Sequence, residues 1–194
     1  MISKGSATRF LIINPFGIGD VLFTTPVVRA IKSNYPDSFI GYWCNQRMQE
    51  ILEDNHYIDR LFALNRGDLK KISAGSKIKG FYAFWNLACD LKKHRFDFSF
   101  DYSLDHRYSL LSKIIGIRNR LGFNYKKRGR FLTGKIDIDG CNNRPMAEYY
   151  ADLIRLIGIE PSDLSMELSL NNNASICVKK RLLGLGVEEN EDII

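Results

Sequence analysis

The chain has 194 residues, 45% apolar and 26% charged, with a formal charge of +6. That length holds one domain of ordinary size, or one domain and the start of another, and the composition is that of a soluble globular protein rather than a disordered or fibrous one. No run of roughly 18 apolar residues is present, which argues against a membrane span.

Phe10 to Ile13 is a continuous apolar run, as in a parallel strand covered on both faces. Gly17 and Gly19 follow. Neither carries a Cβ, so the pair suits a tight turn whose backbone approaches a ligand, with Asp20 at its mouth. Thr25 as N-cap and Pro26 at the first helical position predict a helix running to Lys32. Phe39 to Cys44 reads as a second strand, Met48 to Glu53 as a short helix and Arg60 to Leu64 as a third strand. A basic segment, Asn65 to Gly80, leads into a helix from Phe81 to Lys93. Phe96 to Tyr102 alternates aromatic and polar residues with period two, as a strand does, and Tyr108 to Ile115 reads as a helix stopped by Gly116. Arg120 to Phe123 is a short strand ahead of a basic loop. Pro145 to Gly158 is a helix with Met146, Tyr150, Leu153 and Ile157 on one face, closed by Gly158. Ala174 to Leu183 is a further helix, and Asp192, Ile193 and Ile194 read as the opening of another strand. This alternation predicts an α/β fold, a doubly wound and mainly parallel Rossmann-like sheet with helices on both faces.

Cys44, Cys89, Cys141 and Cys177 lie far apart without a C-x-x-C pair, and His56, His94 and His106 lie singly. No zinc-ligand or H-E-x-x-H spacing results, so no metal site is indicated. Such thiols read as buried and reduced, which puts the protein in the cytosol. Lys4 and Arg9 precede an apolar run in the manner of a signal peptide, but Asn14, Pro15 and Asp20 interrupt it and no small-x-small site follows.

In an open α/β sheet ligands bind in the crevice at the carboxyl ends of the strands, which is where Gly17, Gly19 and Asp20 fall. Gly17-x-Gly19 could begin a dinucleotide fingerprint, but its third glycine would fall at Leu22, whose bulk counts against NAD or FAD. Asp20 has two readings from the residues alone: a carboxylate capping N–H groups at a helix start, or an acid–base group. From Arg118 to Arg130 there are six basic residues, Arg118, Arg120, Lys126, Lys127, Arg128 and Arg130, and no acidic one. Such a patch attracts nucleic acid, an anionic membrane surface or a phosphorylated acceptor, or is a solvated loop. The absence of an RNP or helix-turn-helix pattern leaves nucleic acid the least expected partner.

Ile18, Gly19, Asp20, Val21, Leu22, Thr24, Pro26, Ala30, Ile31 and Lys32 resemble the (I/S)GD(V/I)(L/V)xTxPxxxAL(K/R) stretch of the family 9 glycosyltransferases, the lipopolysaccharide heptosyltransferases. Phe96, Asp97, Asp101, Arg107, Leu110 and Leu111 are similar to the family's YDxxxDxxGxxRSxLL, from which Ser103, Leu104, Asp105 and Tyr108 depart. Arg120 to Phe123 is similar to its R-I-G-F, and Glu148 to Gly158 to its hExYLxLLxxLG. The resemblance covers most of residues 9–160. It implies that 9–160 is the N-terminal, acceptor-binding half of a GT-B glycosyltransferase, with 161–194 a linker helix and the start of a truncated nucleotide-sugar-binding domain. It further implies metal-independent, inverting transfer from a nucleotide-sugar, ADP-heptose, to a lipopolysaccharide-core acceptor. No cofactor beyond that donor is implied. Asp20 is then the base, with Asp97 and Asp101 as alternatives. Gly17 and Gly19 by position, and Arg107, Arg120, Lys126, Lys127 and Arg128 by charge, are candidates for holding an anionic acceptor, in the cytoplasm or peripherally on the inner face of the inner membrane. The competing reading is a Rossmann-like module that binds a phosphorylated or nucleotide ligand without catalysis.

Overall fold

Four apolar residues in succession leave a strand no face for water, and Phe10 to Ile13 are fully buried at the middle of the sheet. The computed structural model describes residues 8–63, 77–140, 143–169 and 172–184. In chain order the elements are β1 (Arg9–Asn14), α1 (Ile18–Phe23), α2 (Thr25–Asn34), β2 (Phe39–Cys44), a 3₁₀ turn at Gln46–Met48 continuing into α3 (Gln49–Leu52), β3 (Arg60–Ala63), α4 (Lys77–Lys93), β4 (Phe98–Asp101), α5 (His106–Ile114), β5 (Asn119–Tyr125), β6 (Gly134–Ile138), α6 (Met146–Arg155) and α7 (Asn172–Gly184).

All six strands are parallel, in the order β3-β2-β1-β4-β5-β6. This is the doubly wound α/β fold, with its topological switch point between β1 and β4. Side chains alternate across the sheet. Phe10, Ile12, Tyr42 and Phe100 face a core closed by Val27, Val28 and Ile31 of α2 and Leu153 and Ile154 of α6. Leu11, Ile13 and Trp43 face a second core closed by Leu91 of α4 and Tyr108 and Leu111 of α5. Gly116 and Gly158, at φ +94° and +81°, end α5 and α6 in the left-handed conformation expected of a terminating glycine.

Several expectations are corrected. Gly17 to Phe23 is not an open turn: Gly17 is the N-cap of α1, and neither Gly17 nor Gly19 has positive φ. Both are exposed, with open space where a Cβ would stand. The N-cap of α2 is Thr24 rather than Thr25. Thr24 is buried because its hydroxyl finds partners there, Val21 O and Tyr42 Oη, each at 2.6 Å. The strand expected at Arg120 to Phe123 is present and divides the basic segment. β5 runs through it, leaving Arg118 and Arg120 at the amino end of the strand and Lys126 to Arg130 beyond its carboxyl end. β6 was not anticipated. It is an edge strand whose exposed Lys135 and Asp137 alternate with half-buried Ile136, a polar pattern that hides a strand. Cys44 is buried, but Cys89 and Cys177 are exposed thiols. Cys141, most of the Asn65–Gly80 segment and Asp192 to Ile194 lie outside the described residues. Among the described residues no helix is long and apolar enough to cross a membrane.

Candidate active site

The site is assembled where β1 and β4 end. β1 closes on Asn14, a fully buried amide. Its Nδ2 donates to Asp20 O at 2.8 Å and its Oδ1 accepts from Phe16 N at 3.2 Å, so one side chain spans the β1–α1 connection. Asp20 then stands in the first turn of α1, half-buried. Its carboxylate Oδ1 accepts a hydrogen bond from Tyr150 Oη of α6 at 2.9 Å. The helix N-caps nearby, Gly17 and Thr24, make no side-chain cap bond, and the Asp20 side chain is engaged with Tyr150 rather than with N–H groups.

Tyr150 is fixed in turn. Its ring lies 4.6 Å from that of Tyr102, and Tyr102 Oη donates to Tyr150 O at 3.0 Å. Burial pushes the Tyr102 and Tyr150 hydroxyls well above the ordinary phenol range, and for Tyr150 the Asp20 charge and hydrogen bond push the same way, so both remain neutral donors. Phe16, Asp20, Tyr102, Leu104, Phe123 and Tyr150 line a cavity of about 130 Å³. Its walls are apolar apart from one carboxylate and two phenols. A half-buried carboxylate beside a recess lined mainly by apolar side chains, at the switch point, is suited to accept a proton from a bound hydroxyl.

No family model matches the chain. Among curated proteins, lipopolysaccharide heptosyltransferase 3 of Escherichia coli is 29% identical over 110 residues, 57% of this chain and 31% of the relative. Lipopolysaccharide heptosyltransferase 3 of E. coli strain K12 is 22% identical over 178 residues, 91% of this chain and 50% of the relative. The chain is heptosyltransferase-like. Its fold is shared with the family 9 glycosyl transferase of Veillonella parvula DSM 2008, with a TM-score of 0.80 at 20% identity over 95% of this chain and 52% of that one. It is shared also with E. coli ADP-heptose lipopolysaccharide heptosyltransferase II, with a TM-score of 0.68 at 16% identity over 94% and 52%, and with an E. coli heptosyltransferase with ADP, 0.67 at 15% over 80% and 49%. The chain spans half or less of the length of the curated relatives it matches.

Within this heptosyltransferase-like chain the remaining sequence candidates separate. Asp97 lies at the amino edge, where its Oδ2 accepts from Arg9 N at 2.8 Å and fixes the start of β1, away from the Asp20 crevice. Asp101, at the carboxyl end of β4, is 5% exposed and accepts from Ser103 N at 2.9 Å and Ser103 Oγ at 2.5 Å. Burial pushes its carboxyl up to about 7 against these hydrogen bonds. Since the folded value exceeds the ordinary 3.8, the folded state binds the extra proton. The stability contributed is complete at acidic pH and is lost as pH rises towards 7. Asp101→Asn is therefore expected to flatten the decline of melting temperature between about pH 4 and 7, read from thermal unfolding at stepped pH. An unchanged slope would show that Asp101 ionises normally.

Arg107 opens α5 beside Asp105, with Nε and Nη2 at 2.9 Å and 2.5 Å from Asp105 Oδ2. Burial would raise the Asp105 carboxyl, but the Arg107 hydrogen bonds and charge outweigh it and hold it below its ordinary value. The guanidinium is thus already matched by a neighbouring carboxylate. Arg120 donates from Nε to Phe131 O at 2.7 Å and from Nη1 to Ile117 O and Arg118 O. It clips the β5–β6 connection at the amino end, and the fold does not bring it to Asp20. Lys126, Lys127 and Arg128 are exposed on the turn after β5, at the same sheet edge as Asp20. Asn124 braces that turn by accepting from Gly129 N at 2.8 Å and donating to Asp137. A Cβ on Gly129 would meet Asn124 Oδ1 at 2.9 Å, so a larger residue there would have to displace the bracing amide.

The residues missed from sequence are Asn14, Tyr102 and Tyr150. Asn14 carried a signal, as the polar residue ending an apolar run. Tyr150 lay in the apolar stripe of α6, where a phenol reads as core.

Proposed function

We propose that the chain is the acceptor-binding half of an inverting glycosyltransferase that moves a sugar from a nucleotide-sugar, ADP-heptose, to a lipopolysaccharide-core acceptor at the cytoplasmic face of the inner membrane. The observation that carries this reading is Asp20. It is a half-buried carboxylate beside a small apolar cavity at the switch point, within the stretch that matches the family pattern. The names of the curated relatives and the ADP in a solved structure of the same fold support the choice of donor and acceptor.

In the proposed step an acceptor hydroxyl lies against the Asp20 carboxylate. As the hydroxyl oxygen forms its bond to the anomeric carbon, its proton passes to Asp20 and the bond from that carbon to the diphosphate breaks, the electron pair leaving with the nucleoside diphosphate. Attack opposite the departing diphosphate inverts the anomeric centre. Much of the rate comes from holding both reactants in line, which requires a second wall to the cleft.

The donor-binding wall is assigned to a half beyond these 194 residues. Titration calorimetry of the 194-residue chain with ADP-sugars is therefore expected to show no specific donor binding, and a labelled-sugar assay no turnover. Joining it to a donor-binding half of a similar enzyme is expected to restore transfer. Micromolar donor binding without transfer would instead favour a non-catalytic nucleotide-binding module, and turnover by the 194 residues alone would show that the donor site lies within them.

A further inference from the structure

A general base works only if its lone pair is aimed, and an aspartate on a six-residue helix has two free side-chain torsions to spend. α1 is short, and Asn14 fixes its backbone at Asp20 O but leaves the carboxylate itself unrestrained. The one protein hydrogen bond to that carboxylate among the described residues comes from Tyr150 Oη, at 2.9 Å. We infer that Tyr150 is the positioning residue of this site: its hydroxyl pins one oxygen of Asp20, so that the other is presented to the acceptor hydroxyl. The inference rests on the reading of Asp20 as the base.

The phenol is built for this task. Tyr150 is 4% exposed, its ring is seated between Tyr102 at 4.6 Å and Phe123 at 6.5 Å, and its backbone carbonyl is held by Tyr102 Oη. Two ring neighbours, a held backbone carbonyl and one outward bond make the hydroxyl a fixed point against which the carboxylate is oriented. Removing that bond releases the orientation, and loss of orientation is expressed in kcat rather than in substrate binding. A core tyrosine with no such role would affect stability alone.

The test is a double-mutant cycle on transfer activity in the chain joined to a donor-binding half, with Tyr150→Phe and Asp20→Asn singly and together. Tyr150→Phe retains the ring and its packing, and is expected to lower kcat roughly tenfold with KM little changed, the usual worth of a hydrogen bond to a charged group. In the Asp20→Asn background the same change is expected to cost less than about twofold, because its effect passes through the carboxylate. Equal losses in both backgrounds would reduce Tyr150 to a packing residue and overturn the inference. Near-full turnover by Asp20→Asn alone would overturn the base reading itself, and is distinguished by appearing without any change at Tyr150. A second measurement is independent of activity and of the fold of the Tyr150 variant. In proton NMR spectra of the 194-residue chain, a tyrosine hydroxyl resonance protected from exchange is expected, and Asp20→Asn is expected to shift it. Spectra without a protected hydroxyl sensitive to Asp20 would show that the bond does not form.

Discussion

Asp20→Asn is expected to lower sugar-transfer turnover by roughly 10²–10⁴-fold, the span covered by general-base catalysis, while leaving the fold intact. The amide has the shape of the carboxylate but no basic lone pair, so the acceptor hydroxyl keeps its place and loses its proton acceptor. Two features of the structure separate this from a folding effect. The Asp20 side chain makes no helix-cap bond, and its partner Tyr150 Oη still meets an oxygen if the amide carbonyl takes the Oδ1 position. The stability cost is accordingly expected to stay below about 1 kcal/mol, the scale of one net hydrogen bond. Steady-state transfer kinetics and thermal unfolding of the same preparations decide between the outcomes. Retained turnover would remove Asp20 from the chemistry, and loss of cooperative unfolding would make it a structural residue.

Replacing Lys126, Lys127 and Arg128 together by glutamine is expected to weaken binding to anionic lipid vesicles by about 1 kcal/mol per charge, on the order of a hundredfold in all. The three side chains are exposed on one braced turn, at the sheet edge that also carries Asp20. An acceptor displayed on a membrane would thus be met by the charge and the base together. Lys126 and Lys127 hold φ of +49° and +58°, so glutamine is the conservative choice there, and a β-branched residue would add strain to the loss of charge. Vesicle co-sedimentation at low and at physiological salt provides the reading, since an attraction of this kind weakens as the Debye length shortens. Binding unchanged at both salts would mean that the turn is an idle, solvated loop.

Much of the scaffold was legible because burial on both faces leaves an unambiguous trace. β1 and β2 are read directly from Phe10 to Ile13 and from Phe39 to Cys44, and the ends of α5 and α6 from Gly116 and Gly158. β6 was not legible because an edge strand needs only one apolar face, and Ile136 and Ile138 are too few to stand out between Lys135 and Asp137. The stretch from Gly17 to Thr24 was misread because its glycines invite a turn. In the fold Val21 is buried and Thr24 satisfies its hydroxyl in the core, which makes one helical turn cheaper than a loop. At the site, Asp20 was legible from its position after a buried strand, as an acid at a crevice. Its partner was not. Tyr150 shares its stripe with Met146, Leu153 and Ile157, and nothing in helical spacing tells which phenol in such a stripe turns its oxygen towards a carboxylate 130 residues earlier in the chain.

That separation has a meaning in time as well as in space. At synthesis rates of about 5–20 residues per second, Asp20 leaves the ribosome roughly 6–26 s before Tyr150 does, because 130 residues lie between them. The β1–β2 pair, by contrast, joins residues only some 30 positions apart, Arg9 with Phe39 and Asn14 with Cys44. A nascent chain can therefore begin its sheet long before its carboxylate has a partner. A product released by stalling anywhere ahead of α6 would carry Asp20 without the tyrosine that holds its carboxylate, so this corner of the fold is completed only when α6 has been made.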